Sequence, residues 1–188
     1  MNSQAKKYTV YDEFLALSDH QVGEIIAGEL ITSPRPGPRH ARASSILGGE
    51  ITGPFDKGKS GPGGWWILDE PELHLSADII VPDLAGWRKD KLPVLPIDKP
   101  YFEVAPDWIC EVLSEKTARL DRVKKLPIYA KEKVSHAWLI DPVAKTLEIF
   151  RLETSGWLLL KTVSGDDRIR AEPFDAIEIE LGALWLPD

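Results

Sequence analysis

Two acidic residues follow apolar stretches with the composition of β-strands, an arrangement that could bind a metal ion. Asp83 follows the run ADIIV and Pro82, and Glu111 follows the run DWIC. If the two strands are neighbours in one sheet, the carboxylates approach each other at one edge. Two carboxylates held close together repel each other, and this raises their affinity for a divalent cation such as Mg²⁺. The pattern therefore predicts metal-assisted chemistry on a phosphate.

Both acids also have structural interpretations. Pro-Asp is an ordinary turn pair, so Asp83 could simply end a strand. A glutamate buried after DWIC needs a partner, and Lys125 or Arg119 could neutralise Glu111 by pairing with it. The residues alone leave these alternatives open.

A basic segment follows Glu111. Residues 116–133 contain seven lysines and arginines and two acids, in a chain whose formal net charge is -7. Asp121 and Lys125 are four residues apart and therefore share one face of a helix. Pro127 cannot donate the helical hydrogen bond to the carbonyl four residues earlier, so we expect a bend there. A lysine of this helix could reach back toward Glu111, or Lys125 could be a solvated charge paired with Asp121.

The elements that must position these residues follow from local signals. Thr9 can cap a short first helix, and Ala27-Gly28 can form the turn of an early strand hairpin. Further helices are predicted over about residues 38–51 and 117–131. Alternating or apolar runs predict strands in WWILDEPELHL, ADIIVPDLAGW, DWICEVLS, HAWLIDP, TLEIFRLE, GWLLLKTV and AIEIEL. This order predicts an α/β or α+β fold with a mixed sheet.

Length and composition limit the possible classes of protein. The chain has 188 residues, of which 43% are hydrophobic, so we expect one core and one domain over residues 1–188. The start MNSQAKKYTV lacks a signal pattern, and no apolar run approaches the roughly 18 residues of a membrane helix, which predicts a cytoplasmic protein without a membrane partner. Cys110, the single cysteine, excludes an internal disulfide, and its apolar surroundings predict a buried thiol. The acidic net charge argues weakly against a large nucleic-acid footprint, although the basic segment can override it locally.

Taken together, the motifs resemble a known family. Asp83 in "PD", Glu111 in "EVLS", the early GEIIAGELITSPRPGPRHARAS and the later LDRVKKLPIYAKEKVSHAWLIDP are similar to the putative restriction endonuclease family, which is expanded in cyanobacteria and was formerly a domain of unknown function. That family belongs to the PD-(D/E)XK nuclease superfamily. The resemblance extends from about Tyr8 to about Leu184. It implies a restriction-endonuclease-like core, in which a mixed central β-sheet is flanked by helices.

The resemblance also implies a set of catalytic residues. Asp83 and Glu111 match the metal ligands, and the early acid of the family matches Glu29 in "GEL". The superfamily lysine lies two residues after the second acid, but that position is Leu113 here. Lys125 in the following helix is the matching lysine. These residues would hold Mg²⁺, or Mn²⁺ in its place, for the hydrolysis of DNA phosphodiester bonds, with Lys125 balancing charge on the phosphate.

The implied partner is DNA, bound by a homodimer. The residues expected to contact the nucleic acid are His40, Arg39, Arg42, Lys116, Arg119, Arg122 and Lys124. A palindromic cut usually requires two copies related by a two-fold axis, which is the reason for expecting a homodimer. Two alternatives stay open: a nucleic-acid-binding module that has the fold without turnover, and a protein-interaction module in which the acids are structural.

Overall fold

The first helix and the first hairpin form as their local signals predict. The computed structural model describes residues 9–18 and 21–187. Helix α1 spans Val10–Leu15, and Thr9 caps it by accepting a hydrogen bond from the Asp12 N–H at 3.1 Å. Strands β1 (Gln21–Ile26) and β2 (Glu29–Pro34) pair in antiparallel fashion. Ala27 and Gly28 connect them with φ angles of 52° and 80°, which fits the tight turn that hairpins favour.

The hairpin is part of a four-stranded sheet. Its residues Val22, Glu24 and Ser33 line the cleft that also contains Asp83 and Glu111. The other strands of this sheet are β4 (Leu73–Leu75) and β5 (Asp78–Ile80), in the order β2-β1-β5-β4. Asp78 ties β5 to the hairpin, because its carboxylate accepts the Ala27 N–H at 2.7 Å. β1 therefore lies between its hairpin partner and β5.

Helix α2 spans Pro38–Ile51, as predicted, and packs on the second sheet. Pro38 suits its first turn, where the missing N–H is not needed. Ala43, Leu47 and Ile51 recur every four residues and are fully buried. This stripe fixes the helix against the sheet, so that the start of α2 lies over the candidate site.

The second sheet is a mixed sheet of six strands. They are β3 (Trp65–Asp69), β6 (Leu84–Arg88), β7 (Trp108–Val112), β8 (His136–Asp141), β9 (Thr146–Glu153) and β10 (Gly156–Ser164), in the order β10-β9-β8-β7-β6-β3. β7 and β8 are parallel, and the other neighbouring pairs are antiparallel. The predicted mixed central sheet with flanking helices is confirmed.

Both faces of this sheet are covered, as the apolar run of β7 requires. Trp108 and Cys110 pack toward α2, whereas Ile109 packs toward Tyr129 on the opposite side. Cys110 is fully buried, as predicted. A charged residue in such a strand must therefore find its partners inside the protein.

The predicted helix over residues 117–131 forms with an irregularity at its centre. Helix α3 (Ala118–Leu120) leads into a π-helical turn at Asp121–Lys125, and helix α4 (Leu126–Lys131) continues from it. Pro127 lies in the first turn of α4, where its missing N–H is tolerated. The expected disturbance is thus a wide turn just before the proline, of the kind often found at functional sites.

The C-terminal part is more irregular than its sequence pattern. AIEIEL was predicted as a strand, but only β12 (Ile179–Glu180) forms there, and it pairs with β11 (Arg168–Ile169). A 3₁₀ turn at Leu181–Leu184 follows. None of the helices in residues 9–18 and 21–187 has the length and apolar character that crossing a bilayer requires.

Candidate active site

Asp83 lies where the chain passes from the four-stranded to the six-stranded sheet. The stretch ADIIVPDLAGW was expected to bring the strand before Asp83 next to the strand of Glu111. This is corrected by the pairing, because β5 joins β1, and it is β6, after Asp83, that pairs with β7. Pro82 has no N–H with which to continue the ladder of β5. The register of β6 aligns Leu84 with Cys110, so Asp83 and Glu111 are opposite at the next position.

The Asp83 carboxylate is held on both of its oxygens. Oδ1 lies 3.1 Å from His40 Nε2, and Oδ2 accepts the Val112 N–H at 2.6 Å. Burial alone would lower the pKa of His40, but the hydrogen bond and charge of Asp83, with the charges of Asp121 and Glu70, outweigh it and raise that pKa above 6.5. The pair therefore favours a protonated imidazole beside a carboxylate.

Glu111 is a buried carboxylate whose two donors share one oxygen. Its side chain is 3% exposed. Oε1 accepts the Tyr129 hydroxyl at 2.5 Å and lies 2.8 Å from Lys125 Nζ. Burial raises the pKa of Glu111 well above 4.5; Lys125 opposes this shift, and the charges of Asp121, Asp83 and Glu24 add to it. Neither donor contacts Oε2. The two donors therefore orient the carboxylate through Oε1 alone.

Lys125 is buried among acids. Its Nζ lies 2.8 Å from Glu111 Oε1, 3.0 Å from Glu24 Oε1 and 3.8 Å from Asp121 Oδ1. It also donates to the Val81 carbonyl at 3.2 Å. Burial would lower the pKa of Lys125, but the charges of Glu111, Glu24 and Asp121 outweigh it and raise that pKa. Lys125 therefore stays protonated and suits charge stabilisation, not proton removal.

The acid that the hairpin brings to the site is Glu24, and the expectation for Glu29 is corrected accordingly. Glu24 is 5% exposed, contacts Lys125 and accepts the Val81 N–H at 2.9 Å. Glu29 begins β2 beside the turn, where its side chain is 72% exposed and pairs with Lys124 at 3.3 Å. The sequence held a usable signal, because Glu24 interrupts the run VGEII much as Glu111 interrupts WICEVL.

These side chains line a cleft of about 420 Å³ between the hairpin, the start of α2 and the π-helical turn. We call it the catalytic cleft. Its charged lining consists of Glu24, Arg35, His40, Glu70, Asp83, Glu111, Glu115, Lys116, Asp121 and Lys125. Burial raises the pKa of Asp121 to about 6, against the opposing effects of Lys125 and a Thr117 hydrogen bond; Asp83 and Glu24 contribute to the rise. Three of the acids in the cleft, Glu24, Glu111 and Asp121, thus surround the buried ammonium group of Lys125.

Comparison with known proteins identifies the family. Residues 11–182 match the model of the Uma2 family, described as "Putative restriction endonuclease". The chain belongs to the Uma2 family. This confirms the resemblance that the sequence motifs indicated.

A solved structure shares the fold of this Uma2 chain. It is the crystal structure of a putative nuclease belonging to DUF820 from Anabaena variabilis ATCC 29413, with a TM-score of 0.74 and 19% sequence identity. The match covers 94% of this chain and 97% of the other. At this identity the likeness shows the fold alone. A search of curated proteins finds no match.

The residues expected to contact DNA in this Uma2 chain are divided among several places. His40 lies in the catalytic cleft against Asp83, and Lys116 lines the same cleft. Arg119 and Lys124 line a neighbouring cavity with Lys116. Arg39 is exposed on the first turn of α2.

Two more of the expected DNA contacts, like His40 and Lys124, have partners within the protein. Arg42 donates to the Ala183 carbonyl at 3.0 Å. Arg122 lies 2.6 Å from Glu148. Each guanidinium has further N–H groups, so both side chains could contact a phosphate while they keep these partners.

The donor chemistry of the cleft fits a hard divalent cation. No three Asp, Glu, His or Cys side chains within the described ranges converge in a geometry that could hold a metal ion. Mg²⁺ does not require such a cage, since it commonly uses one or two carboxylates and completes its shell with water and substrate phosphate. Asp83 and Glu111 supply two carboxylates at opposite positions of neighbouring strands. Glu111 already stabilises one cation, the Lys125 ammonium at 2.8 Å.

Proposed function

We propose that this Uma2 chain is a Mg²⁺-dependent endonuclease that hydrolyses DNA phosphodiester bonds, with Mn²⁺ as an alternative ion. The observation that carries the proposal is the position of Asp83, directly before β6, opposite Glu111 in β7, with the protonated Lys125 bound to Glu111. Two carboxylates can hold a metal ion for phosphodiester hydrolysis, and a fixed lysine can stabilise the charge that develops on the phosphate.

Asp83 and Glu111 would hold the metal. The chemistry that Mg²⁺ supplies when bound is polarisation of the phosphodiester and activation of water. The Val112 N–H and His40 fix the two oxygens of Asp83, so this carboxylate is oriented before any ligand arrives. Preorganised ligands reduce the reorganisation needed at the moment of reaction.

Lys125 would stabilise the negative charge that develops on the phosphate. Its raised pKa keeps it cationic throughout the neutral range. A fixed cation in a water-poor cleft stabilises such charge far better than a solvated one. Glu24 and Asp121 balance Lys125 in the free protein and hold its ammonium at the cleft wall.

Three further features belong to the proposal. We infer that residues 1–188 form one domain and that the protein acts in the cytoplasm. We also infer that it works as a homodimer, because a two-fold pair can cut both strands of a palindromic site. The molar mass in solution, measured by light scattering, tests the last inference.

One observation favours a second candidate function. The Lys125 cluster is internally compensated, since two carboxylates already lie within 3.0 Å of the ammonium. A compensated buried cluster can be purely structural. In that case the fold would serve as a nucleic-acid-binding or protein-interaction module without turnover.

A nicking assay separates the two functions. Supercoiled plasmid is incubated with Mg²⁺ or EDTA and with native protein, Asp83→Asn or Asp78→Asn. Asp78 is the control, because it is an acid of low exposure that lies outside the catalytic cleft, and asparagine can still accept the Ala27 N–H. We expect Mg²⁺-dependent nicking by the native protein and by Asp78→Asn, and none by Asp83→Asn. If the native protein neither nicks plasmid nor binds Mg²⁺ in calorimetry, the second candidate function, a module without turnover, is supported instead.

A further inference from the structure

A second cavity opens beside the catalytic cleft, and we call it the side cavity. It has a volume of about 420 Å³, within the range of about 300–1,000 Å³ that is usual for small-ligand sites. Ser33, Lys116 and Thr117 line both the side cavity and the catalytic cleft. The two spaces therefore share a wall, and a chain-like ligand in one can extend into the other.

The side cavity combines positive charge with an apolar floor. Lys116, Arg119 and Lys124 provide the charge, and its lining contains no acidic residue among the described positions. Ile31, Leu120 and Val123 provide the apolar surface. Val123 is 61% exposed, although it lies in a charged helical segment. Of these cations, Lys124 pairs with an acid, the exposed Glu29, at 3.3 Å.

The π-helical turn explains how one short segment serves both spaces. Its hydrogen bond runs from the Leu126 N–H to the Asp121 carbonyl, which adds a residue to an ordinary helical turn. Asp121 and Lys125 line the catalytic cleft, whereas Val123 and Lys124 line the side cavity. The acids and the catalytic lysine are thereby separated from the apolar and basic surface.

We propose that the side cavity binds an unpaired nucleotide next to the scissile phosphate, so that the protein prefers single-stranded or frayed DNA to continuous duplex. The inference rests on the proposed function, because that function places the scissile phosphate at Asp83 and Glu111. Lys116 at the shared wall would meet the linking phosphate. The base would lie on Ile31, Leu120 and Val123, with the Arg119 guanidinium available for stacking.

The apolar floor favours a base that is not stacked in a duplex. In a continuous duplex both faces of every base are covered by its neighbours. A base can reach the floor only after it leaves the stack, which costs free energy in a duplex and little in a single strand. The cations alone would not favour a single strand, because a duplex carries the higher density of backbone charge.

Binding measurements test the side cavity. The probes are a fluorescent oligothymidylate of about twelve nucleotides, its abasic counterpart and a hairpin duplex, measured by anisotropy with Ca²⁺ at constant low salt. The variants are Val123→Ser and the control Val143→Ser. Val143 is matched, since it is 60% exposed and lies in the turn after β8, outside both spaces. Thermal unfolding confirms that both variants are folded.

We expect the native protein to bind the thymidylate more tightly than the duplex. Val123→Ser should weaken thymidylate binding about fivefold or more, leave the abasic strand and duplex unchanged, and differ in this from Val143→Ser. Arg119→Gln removes a cation as well as a stacking group, so it should weaken the binding of all three probes and that of the thymidylate most. Equal affinities of the two serine variants for thymidylate, or a preference of the native protein for duplex, would overturn the proposal.

The outcome is distinguishable from that of the nuclease proposal. Binding in Ca²⁺ does not require turnover, whereas the nicking assay does. A protein that shows the selective loss in Val123→Ser but, with Mg²⁺, cleaves neither plasmid nor single-stranded DNA retains the side cavity as a strand-binding site and fails as a nuclease. A protein that nicks plasmid but binds thymidylate equally well as Val123→Ser and Val143→Ser overturns the side cavity alone.

Discussion

The hydroxyl of Tyr129 donates to Glu111 Oε1 at 2.5 Å, inside the protein and on the same oxygen that Lys125 contacts. Tyr129 comes from α4 and Glu111 from β7, so this bond links the helix after the π-helical turn to the central strand of the site. It restrains the rotation of the Glu111 carboxylate. The bond therefore connects the packing of the core to the orientation of a proposed metal ligand.

Tyr129→Phe should impair activity through Glu111. The change removes the donor without opening a cavity, and a buried hydrogen bond to a charged group contributes about 1.5–3 kcal/mol. We expect a lower nicking rate at saturating DNA, a weaker Mg²⁺ affinity and little change in DNA binding. Tyr101→Phe, in the loop where Tyr101 stacks on His74, is the control. A Tyr129→Phe protein with native Mg²⁺ affinity would show that Tyr129 does not orient the ligand.

Lys125→Met should destabilise the fold as well as abolish nicking. Methionine leaves Glu111 and Glu24 buried without their cation, and breaking a buried ion pair in this way costs about 3–5 kcal/mol. The free energy of unfolding is measured with urea in EDTA. Lys131→Met removes an exposed lysine and should change it by less than about 0.5 kcal/mol.

The buried cluster around Lys125 predicts that two substitutions partly compensate for each other. Adding Glu111→Gln to Lys125→Met removes one of the stranded carboxylates. The double variant should therefore be more stable than the sum of the two single effects predicts. Strict additivity would mean that Lys125 and Glu111 are not energetically coupled.

Glu24 and Glu29 should differ in their effect on nicking. Glu24→Gln removes a buried charged partner of Lys125, so the ammonium group should shift. Because small displacements of a catalytic group are costly, the nicking rate should fall about tenfold to 100-fold. Glu29→Gln removes an exposed charge and should leave the rate nearly native. Initial nicking rates at one Mg²⁺ concentration are enough for the comparison. The reverse ranking would restore Glu29 to the site.

Asp121 predicts a pH dependence of stability. Its pKa is about 6 in the folded protein and 3.8 ordinarily, so the folded state holds this proton more tightly than the unfolded chain. Its contribution to stability is complete below pH 3.8 and is lost as the pH rises to about 6, a change of about 3 kcal/mol. Asparagine does not titrate, so the stability of Asp121→Asn does not include this loss as the pH rises.

Urea unfolding of the native protein and Asp121→Asn in EDTA measures this contribution. The stability of the variant relative to the native protein should increase between pH 4 and pH 6 and stay constant above about pH 7. A difference that does not change with pH would show that Asp121 has an ordinary pKa in the folded state.

The sequence by itself determined the features that depend on neighbouring residues. The Thr9 cap, the Ala27-Gly28 turn and the helix over residues 38–51 form as predicted, because each is decided by bonds within a few positions. The mixed sheet also followed from the order of the elements. Asp83 and Glu111 stood out because an acid in or beside an apolar strand must have a partner or a use.

Only the tertiary structure decided how distant residues meet. It placed ADIIV in one sheet and LAGW in another, so the neighbour of Glu111 follows Asp83 instead of preceding it. Glu24 rather than Glu29 faces Lys125, and Tyr129 reaches Glu111 from α4. A side chain buried between sheets takes its partners from long-range strand pairing, and local sequence carries no record of which strands will pair.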